Sequence, residues 1–170
     1  IVQRDCLIDS FLLSFFISFT KQNDQGLAIL CQIDPITRPP IDFVFPNAPA
    51  IPVTINQGYV MPAWYDILEM SLERKIDTAQ IEQSASSIRA LIAQENERGV
   101  PSEHIVIAGF SQGGAVAYQT ALSYDKPLAG LLTLSTYLAT KDSLVLSDAN
   151  KNLKIAIHHG TQDPVVPVQL

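Results

Sequence analysis

The chain has 170 residues, 47% of them hydrophobic and 16% charged, a balance that suits one packed domain and excludes an intrinsically disordered chain. Its 11 Lys and Arg stand against 17 Asp and Glu, for a formal net charge of −6; an acidic surface repels phosphate backbones and argues against nucleic-acid binding. The two cysteines, Cys6 and Cys31, form no metal-ligand or redox pattern and read as free thiols in a reducing compartment.

The sequence begins at Ile1 rather than at a methionine, as expected of a processed product or a fragment. Cys6 to Phe19 is strongly apolar but shorter than the ~20 residues a membrane span needs. Arg4 is offset by Asp5 and no clean small-residue cleavage site follows, which is poor signal-peptide chemistry. A buried strand or helix is expected here, no stable membrane span, and the cytoplasm as compartment; a membrane anchor is the weaker alternative. Residues 20–40 hold polar, proline-containing turns that end in Arg38-Pro39-Pro40. Ile41 to Phe45 reads as a short strand stopped by Pro46. Residues 46–62 contain Pro46, Pro49, Pro52 and Pro62 and are expected to form a long irregular loop, a kind of segment that is often functional.

Thr78 to Arg98 carries the clearest helical signal. Ile81, Ala85, Ile88 and Ile92 recur on one face, Asp77 can cap the start with Gln80 three residues on, and Gly99 with Pro101 ends it. Ile105 to Ala108 reads as a buried strand, Ala115 to Ser123 as a small-residue helix, and Leu128 to Leu134 and Leu153 to His158 as two further buried strands. Alternation of helix and strand from residue 78 onward implies a parallel sheet with crossover helices.

The chemistry centres on Gly109-Phe110-Ser111-Gln112-Gly113, a G-x-S-x-G motif between a predicted strand and a predicted helix. A sharp strand-to-helix turn at Ser111 needs glycines where a Cβ would clash. Strain at the turn lifts the serine hydroxyl to the carboxyl end of the sheet, and the backbone N–H of Gln112 points at a developing oxyanion. The competing reading is a glycine-flanked serine in an ordinary turn.

A serine nucleophile needs a base, and the base an orienting acid. In strand–turn–helix hydrolases the order is Ser, Asp, His. Asp163 follows the predicted Leu153–His158 strand, on the same sheet edge as Ser111; by position alone it is equally a turn aspartate before Pro164. The histidines are His104, His158 and His159. His104 starts the strand that leads to Ser111 and lies about 20 Å from it at ~3.3 Å per residue. His158 and His159 precede Asp163 and read as strand-end residues.

The serine motif, with Phe45-Pro46-Asn47-Ala48-Pro49, Pro52-Val53-Thr54, Met61-Pro62-Ala63-Trp64-Tyr65-Asp66, Gly99-Val100-Pro101-Ser102 and His159-Gly160-Thr161-Gln162-Asp163-Pro164-Val165-Val166-Pro167, resembles the phospholipase/carboxylesterase family that includes the acyl-protein thioesterases. These blocks span residues 41 to 168. The resemblance implies a single α/β-hydrolase domain over residues 1–170, with 1–40 divergent and a mostly parallel sheet with helices on both faces. It implies Ser111 as nucleophile, Asp163 as triad acid and Met61 and Trp64 in the wall of an acyl pocket, core packing under a loop being the competing reading of that segment. It also implies a small acyl-ester or thioester substrate and no cofactor or metal.

Two departures from the family pattern stand out. Residues 1–40 contain one glycine, Gly26, and no histidine, so they lack the histidine-glycine-rich loop whose backbone supplies a second oxyanion N–H. No histidine follows Asp163, where the family carries its catalytic one, and the sheet is expected to be incomplete at its C-terminal edge. Such an open apolar edge invites self-association, for example as a homodimer. Two functions are therefore expected in competition: a serine esterase or thioesterase, or an inactive hydrolase-fold protein that binds acyl ligands or proteins.

Overall fold

Ile105–Phe110 (β5) alternates and stacks apolar residues tightly enough to run through the middle of the molecule, with Ile105, Ile107 and Ala108 all buried. The computed structural model describes residues 13–18, 41–69 and 75–170. In it, β5 is the third strand of a five-stranded sheet whose pairings are all parallel. Leu13–Ser18 (β1) lies on one side of it and Ile41–Val44 (β2) beyond β1. Gly130–Leu134 (β6) lies on the other side and Ile155–His158 (β7) beyond β6, giving the order β2-β1-β5-β6-β7. The chain first builds outward from β1 to β2 and then restarts on the opposite side with β5. The junction between β1 and β5 is thus a topological switch point, where α/β sheets open a crevice at the carboxyl ends of their strands.

The apolar segment near the N-terminus is a strand over Leu13–Ser18; the rest of Cys6 to Phe19 and the turns at 20–40 lie outside the described residues. Thr78–Glu97 forms helix α1 with the expected cap: the Asp77 carboxylate accepts the Gln80 N–H at 3.0 Å. Gly99 at φ +95° ends it, a backbone conformation that favours glycine. The predicted stripe of Ile81, Ala85, Ile88 and Ile92 is buried in one core cluster with Ile105, Ile107, Val116 and Leu131. The second helix, α2, begins at Gln112 and ends at Ser123, three residues earlier than the apolar pattern suggested, because the turn at Ser111 feeds directly into it.

Three expectations are corrected. Residues 46–62 are not an irregular loop: Ala50–Val53 (β3) and Tyr59–Pro62 (β4) form an antiparallel two-stranded sheet. Its two prolines are tolerated because each strand of a two-stranded sheet is an edge, with one side free of ladder hydrogen bonds. The reversal runs through Gln57 and Gly58, both at positive φ. The link from β6 to β7 contains turns and a short 3₁₀ segment, Asp148–Asn150, in place of a crossover helix. Strand β7 is apolar but not buried: Ile155 is 43% and Ile157 61% exposed, since among the described residues it pairs with β6 alone.

Candidate active site

Ser111 follows the last residue of β5 and precedes the first of α2. Its backbone sits at φ 53°, ψ −121°, a conformation that costs a non-glycine residue on the order of 1–3 kcal/mol and persists only where the surroundings dictate it. They do so from both sides. The Ser111 N–H donates to the Leu134 carbonyl at 3.0 Å, and the Ser111 carbonyl accepts from the Gly114 N–H at 3.0 Å and the Ala115 N–H at 3.3 Å. A third donor, the Thr136 hydroxyl, reaches the same carbonyl at 2.7 Å. The serine side chain makes no capping hydrogen bond to the helix it opens, so its hydroxyl is not spent on structure.

The glycines around the turn are close-approach positions. A Cβ on Gly109 would stand 2.3 Å from the Gly113 carbonyl oxygen, and one on Gly114 would stand 2.5 Å from the Thr136 Cβ; real Cβ atoms do not occur that close to another heavy atom. The first packs the end of β5 against the start of α2. The second packs that helix against the segment that leaves β6.

Asp163 lies in the loop after β7. Since β5, β6 and β7 are parallel neighbours, this loop and Ser111 are on the same edge of the sheet, separated by the end of β6. The Asp163 Oδ1 accepts the N–H groups of Val165 and Val166, each at 2.9 Å. The Val166 and Val165 amides hold the carboxyl below its ordinary range, with further help from the Ser135 side chain and the nearby His159, against a smaller opposing effect of desolvation. An ionised carboxylate is what an orienting acid has to be.

The histidines are placed as expected. His104 ends a short 3₁₀ turn immediately before β5, at the opposite end of that strand from Ser111. His158 is the exposed last residue of β7, and its carbonyl accepts the Ser135 N–H at 2.9 Å. His159 comes nearest to the acid, with Nε2 3.9 Å from Asp163 Oδ2. Its Nε2–H donates to the Val166 carbonyl at 2.6 Å.

Of the two residues expected in the acyl pocket, Trp64 is 3% exposed and belongs to the core cluster. It also borders a cleft of about 360 Å³ that Asn47, Pro49, Gln80 and Ser84 line further. Met61 is on β4, outside that cluster, with its sulfur accepting from Asn56 Nδ2 at 3.1 Å. Among the described residues no group of three or more His, Cys, Asp or Glu could hold a metal ion.

Over residues 23–170 the sequence matches the family model described as Phospholipase/Carboxylesterase. The chain belongs to that family. Acyl-protein thioesterase 1 of Schizosaccharomyces pombe is 43% identical over 129 residues, which are 75% of this chain and 58% of that protein. Acyl-protein thioesterase 1 of Debaryomyces hansenii is 40% identical over 130 residues, 74% of this chain and 56% of that protein. The chain thus spans less than two thirds of the length of these relatives. Among solved structures it is similar to Arabidopsis thaliana SOBER1, with a TM-score of 0.85 and 28% identity over 93% of this chain and 78% of that one. Zea mays acyl-protein thioesterase 2 shares the fold at a TM-score of 0.73 and 22% identity, over 93% of this chain and 74% of that one.

Two features of this phospholipase/carboxylesterase chain escape sequence reasoning. Gln112 draws notice only for its backbone N–H, yet its side chain is a clamp: Oε1 accepts from the Trp64 N–H at 3.2 Å and Nε2 donates to the Tyr65 carbonyl at 3.0 Å. The serine turn is thereby tied to the Met61–Asp66 block. The other feature is Ser135-Thr136, which reads in sequence as an unremarked strand end and carries no motif signal.

Proposed function

We propose that this chain is a serine hydrolase of small acyl esters or thioesters in which Ser111 is the nucleophile, Gln112 N–H an oxyanion donor and Asp163 the orienting acid. The observation that carries the reading is the Ser111 backbone at φ 53°, ψ −121° at the carboxyl end of β5, a strained strand-to-helix turn that presents the hydroxyl at the switch-point edge. The hydroxyl oxygen attacks the acyl carbon, its proton passes to an imidazole base, and the tetrahedral intermediate expels the alcohol or thiol. Water then releases the acid from the acyl-enzyme. The relatives named acyl-protein thioesterase 1 support a thioester or ester as substrate. Met61 and Trp64 are proposed to border the acyl chain, the cytoplasm is the proposed compartment, and the open β7 edge is the surface for a proposed homodimer. The net charge of −6 weighs against nucleic acid as a partner, and no described helix is long and apolar enough to cross a membrane.

A second reading, acyl-ligand binding without turnover, draws on the engagement of His159 Nε2 with the Val166 carbonyl, which leaves that ring no proton-accepting nitrogen at that position. One experiment separates the two. The chain and Ser111→Ala are each treated with a fluorophosphonate probe and assayed on p-nitrophenyl acetate. The hydrolase reading expects labelling at Ser111 and hydrolysis that Ser111→Ala abolishes; equal rates and no labelling leave the binding reading.

A further inference from the structure

Helix α1 carries two stripes. The apolar one is in the core. The other, Gln80, Gln83, Ser84 and Ser87 at i, i+3, i+4 and i+7, is polar and lines the cleft of about 360 Å³ that Trp64 borders, a volume within the usual range of a small-ligand site. Asn47 and Pro49 add to the lining from the segment after β2. All of these residues are uncharged. The cleft lies toward the carboxyl ends of the strands, the side on which Ser111 sits: Asn47 follows the end of β2, and the polar stripe occupies the first half of the helix that returns to the start of β5. Its Trp64 wall is tied to the serine turn, since the Trp64 N–H donates to Gln112 Oε1 at 3.2 Å.

Part of the polar lining is already engaged. Gln80 Oε1 accepts the Asp66 N–H at 2.8 Å, the Ser84 hydroxyl donates to the Trp64 carbonyl at 2.5 Å, and the Ser87 hydroxyl donates to the Gln83 carbonyl at 3.2 Å. The side-chain amides of Asn47 and Gln83 have no partner among the described residues, and the indole N–H of Trp64 is buried without one. An alkyl chain laid against these groups would strand them. A phosphate or carboxylate would meet no cation among them. A sugar ring would find no aromatic face, because Trp64 is only 3% exposed. Peptide groups suit them: each offers one N–H and one C=O, the same donor and acceptor types that a side-chain amide carries. We propose that this cleft is a subsite for an uncharged peptide segment, the part of an acylated polypeptide that stays with the leaving oxygen or sulfur. That role in substrate recognition rests on the hydrolase reading above; binding of the peptide itself does not.

Trp64 is the chain's one tryptophan, so its indole N–H gives a single cross-peak in a ¹H–¹⁵N spectrum and reports on the cleft. The wild-type chain is titrated with N-acetyl-trialanine amide and, separately, with N-acetyl-trialanine bearing a free carboxylate, methyl glucoside and hexanol. The amide peptide is expected to shift the Trp64 cross-peak and the backbone cross-peaks of Gln80 to Ser87 saturably, and the other three compounds to bind more weakly. Asn47→Ala and Gln83→Ala are each expected to raise its Kd by roughly threefold to tenfold, the contribution of one hydrogen bond. Both positions are exposed, so neither truncation opens the core. No saturable shift with the amide peptide, an unchanged Kd in either variant, or tighter binding of the carboxylate, the glucoside or hexanol overturns the proposal. Ser111→Ala should bind the peptide as wild type does. Binding without fluorophosphonate labelling therefore counts against the hydrolase reading alone, and labelling without binding counts against the peptide site alone.

Discussion

Gly114 is pressed against Thr136: a Cβ built on the glycine stands 2.5 Å from the threonine Cβ and 2.7 Å from its hydroxyl oxygen. Neither contact involves the end of a flexible side chain, so the helix or the β6 segment has to move to admit a methyl group. Gly114→Ala is expected to lose about 1–3 kcal/mol, the usual cost of inserting an extra group into a packed site. Gly114→Ala combined with Thr136→Gly, which vacates the space, should recover much of the loss. Urea unfolding of the two single variants and the double variant closes the cycle; strict additivity would contradict the contact.

The Gln112 side chain offers a second test of how the turn is held. Its amide is paired on both sides, with the Trp64 N–H and the Tyr65 carbonyl, in a buried setting. Gln112→Leu keeps the bulk and strands both backbone groups, and each stranded group costs about 1–3 kcal/mol. The melting temperature is expected to fall by several degrees, at about 2–4 °C per kcal/mol for a chain of this size. Gln112→Glu, which retains an acceptor for Trp64 but opposes the Tyr65 carbonyl, should be destabilised as well. A leucine variant as stable as wild type would mean that the clamp contributes nothing.

At helix α1 the Asp77 carboxylate caps the Gln80 N–H at 3.0 Å. Asp77→Ala is expected to cost about 1 kcal/mol and Asp77→Ser much less, following the usual ranking of N-cap residues. Thermal melts at pH 7 measure both, and the order of the two variants matters more than either value. Because α1 carries four of the core isoleucine and alanine positions, any fraying of its first turn is felt at Ile81.

Asp163 sets a pH dependence whose sign follows from its lowered folded-state pKa. A carboxyl with a depressed pKa contributes stability above its unfolded value, ~3.9 for Asp, and that contribution disappears as pH falls through the folded value. The wild-type chain is therefore expected to lose stability faster than Asp163→Asn as pH drops below about 4. The asparagine still offers a carbonyl oxygen to the Val165 and Val166 amides, so the loop keeps its turn. Urea midpoints measured from neutral pH to about pH 2 decide it; parallel curves would mean that the carboxylate is not selectively stabilised.

How much of this was legible in the sequence depended on whether a residue acts through its own pattern or through a partner far away. The α1 stripe and its Asp77 cap are local, and they were readable to within a residue. So was the serine turn, because close packing of Gly109 against Gly113 leaves a motif. The β3–β4 pair was hidden by Pro52 and Pro62, which mark a broken strand in a large sheet but are harmless in a two-stranded one. The burial of Trp64 agrees with the competing reading of its segment, core packing under a loop. The exposure of Ile157 was hidden for another reason: it belongs to an apolar segment, and composition does not say which strand becomes an edge. The Gln112 clamp spans 48 residues to Trp64, and Thr136 lies 25 residues from Ser111. No periodicity links such pairs, so only the fold reveals them.

The base in the proposed reaction has a test of its own. His104 lies at the far end of β5 from Ser111, His158 is exposed on β7, and His159 Nε2 is bonded to the Val166 carbonyl. If none of these rings accepts the serine proton, the proposed nucleophile keeps its turn and the proposed Gln112 N–H donor, but residues 1–170 alone supply no general base to it, a group that contributes typically about 10²–10⁴-fold. Free imidazole can then supply the missing acceptor from solution. Fluorophosphonate labelling of Ser111, followed by mass spectrometry of the peptide that contains it, is expected to speed up with added imidazole, and more so at pH values where the imidazole is its neutral base. His159→Gln should leave that rescue intact, and Ser111→Ala should take no label at any concentration. Labelling that is fast without imidazole and lost in His159→Gln would reverse the assignment and make His159 the base, after a rotation that frees its Nε2 from the Val166 carbonyl.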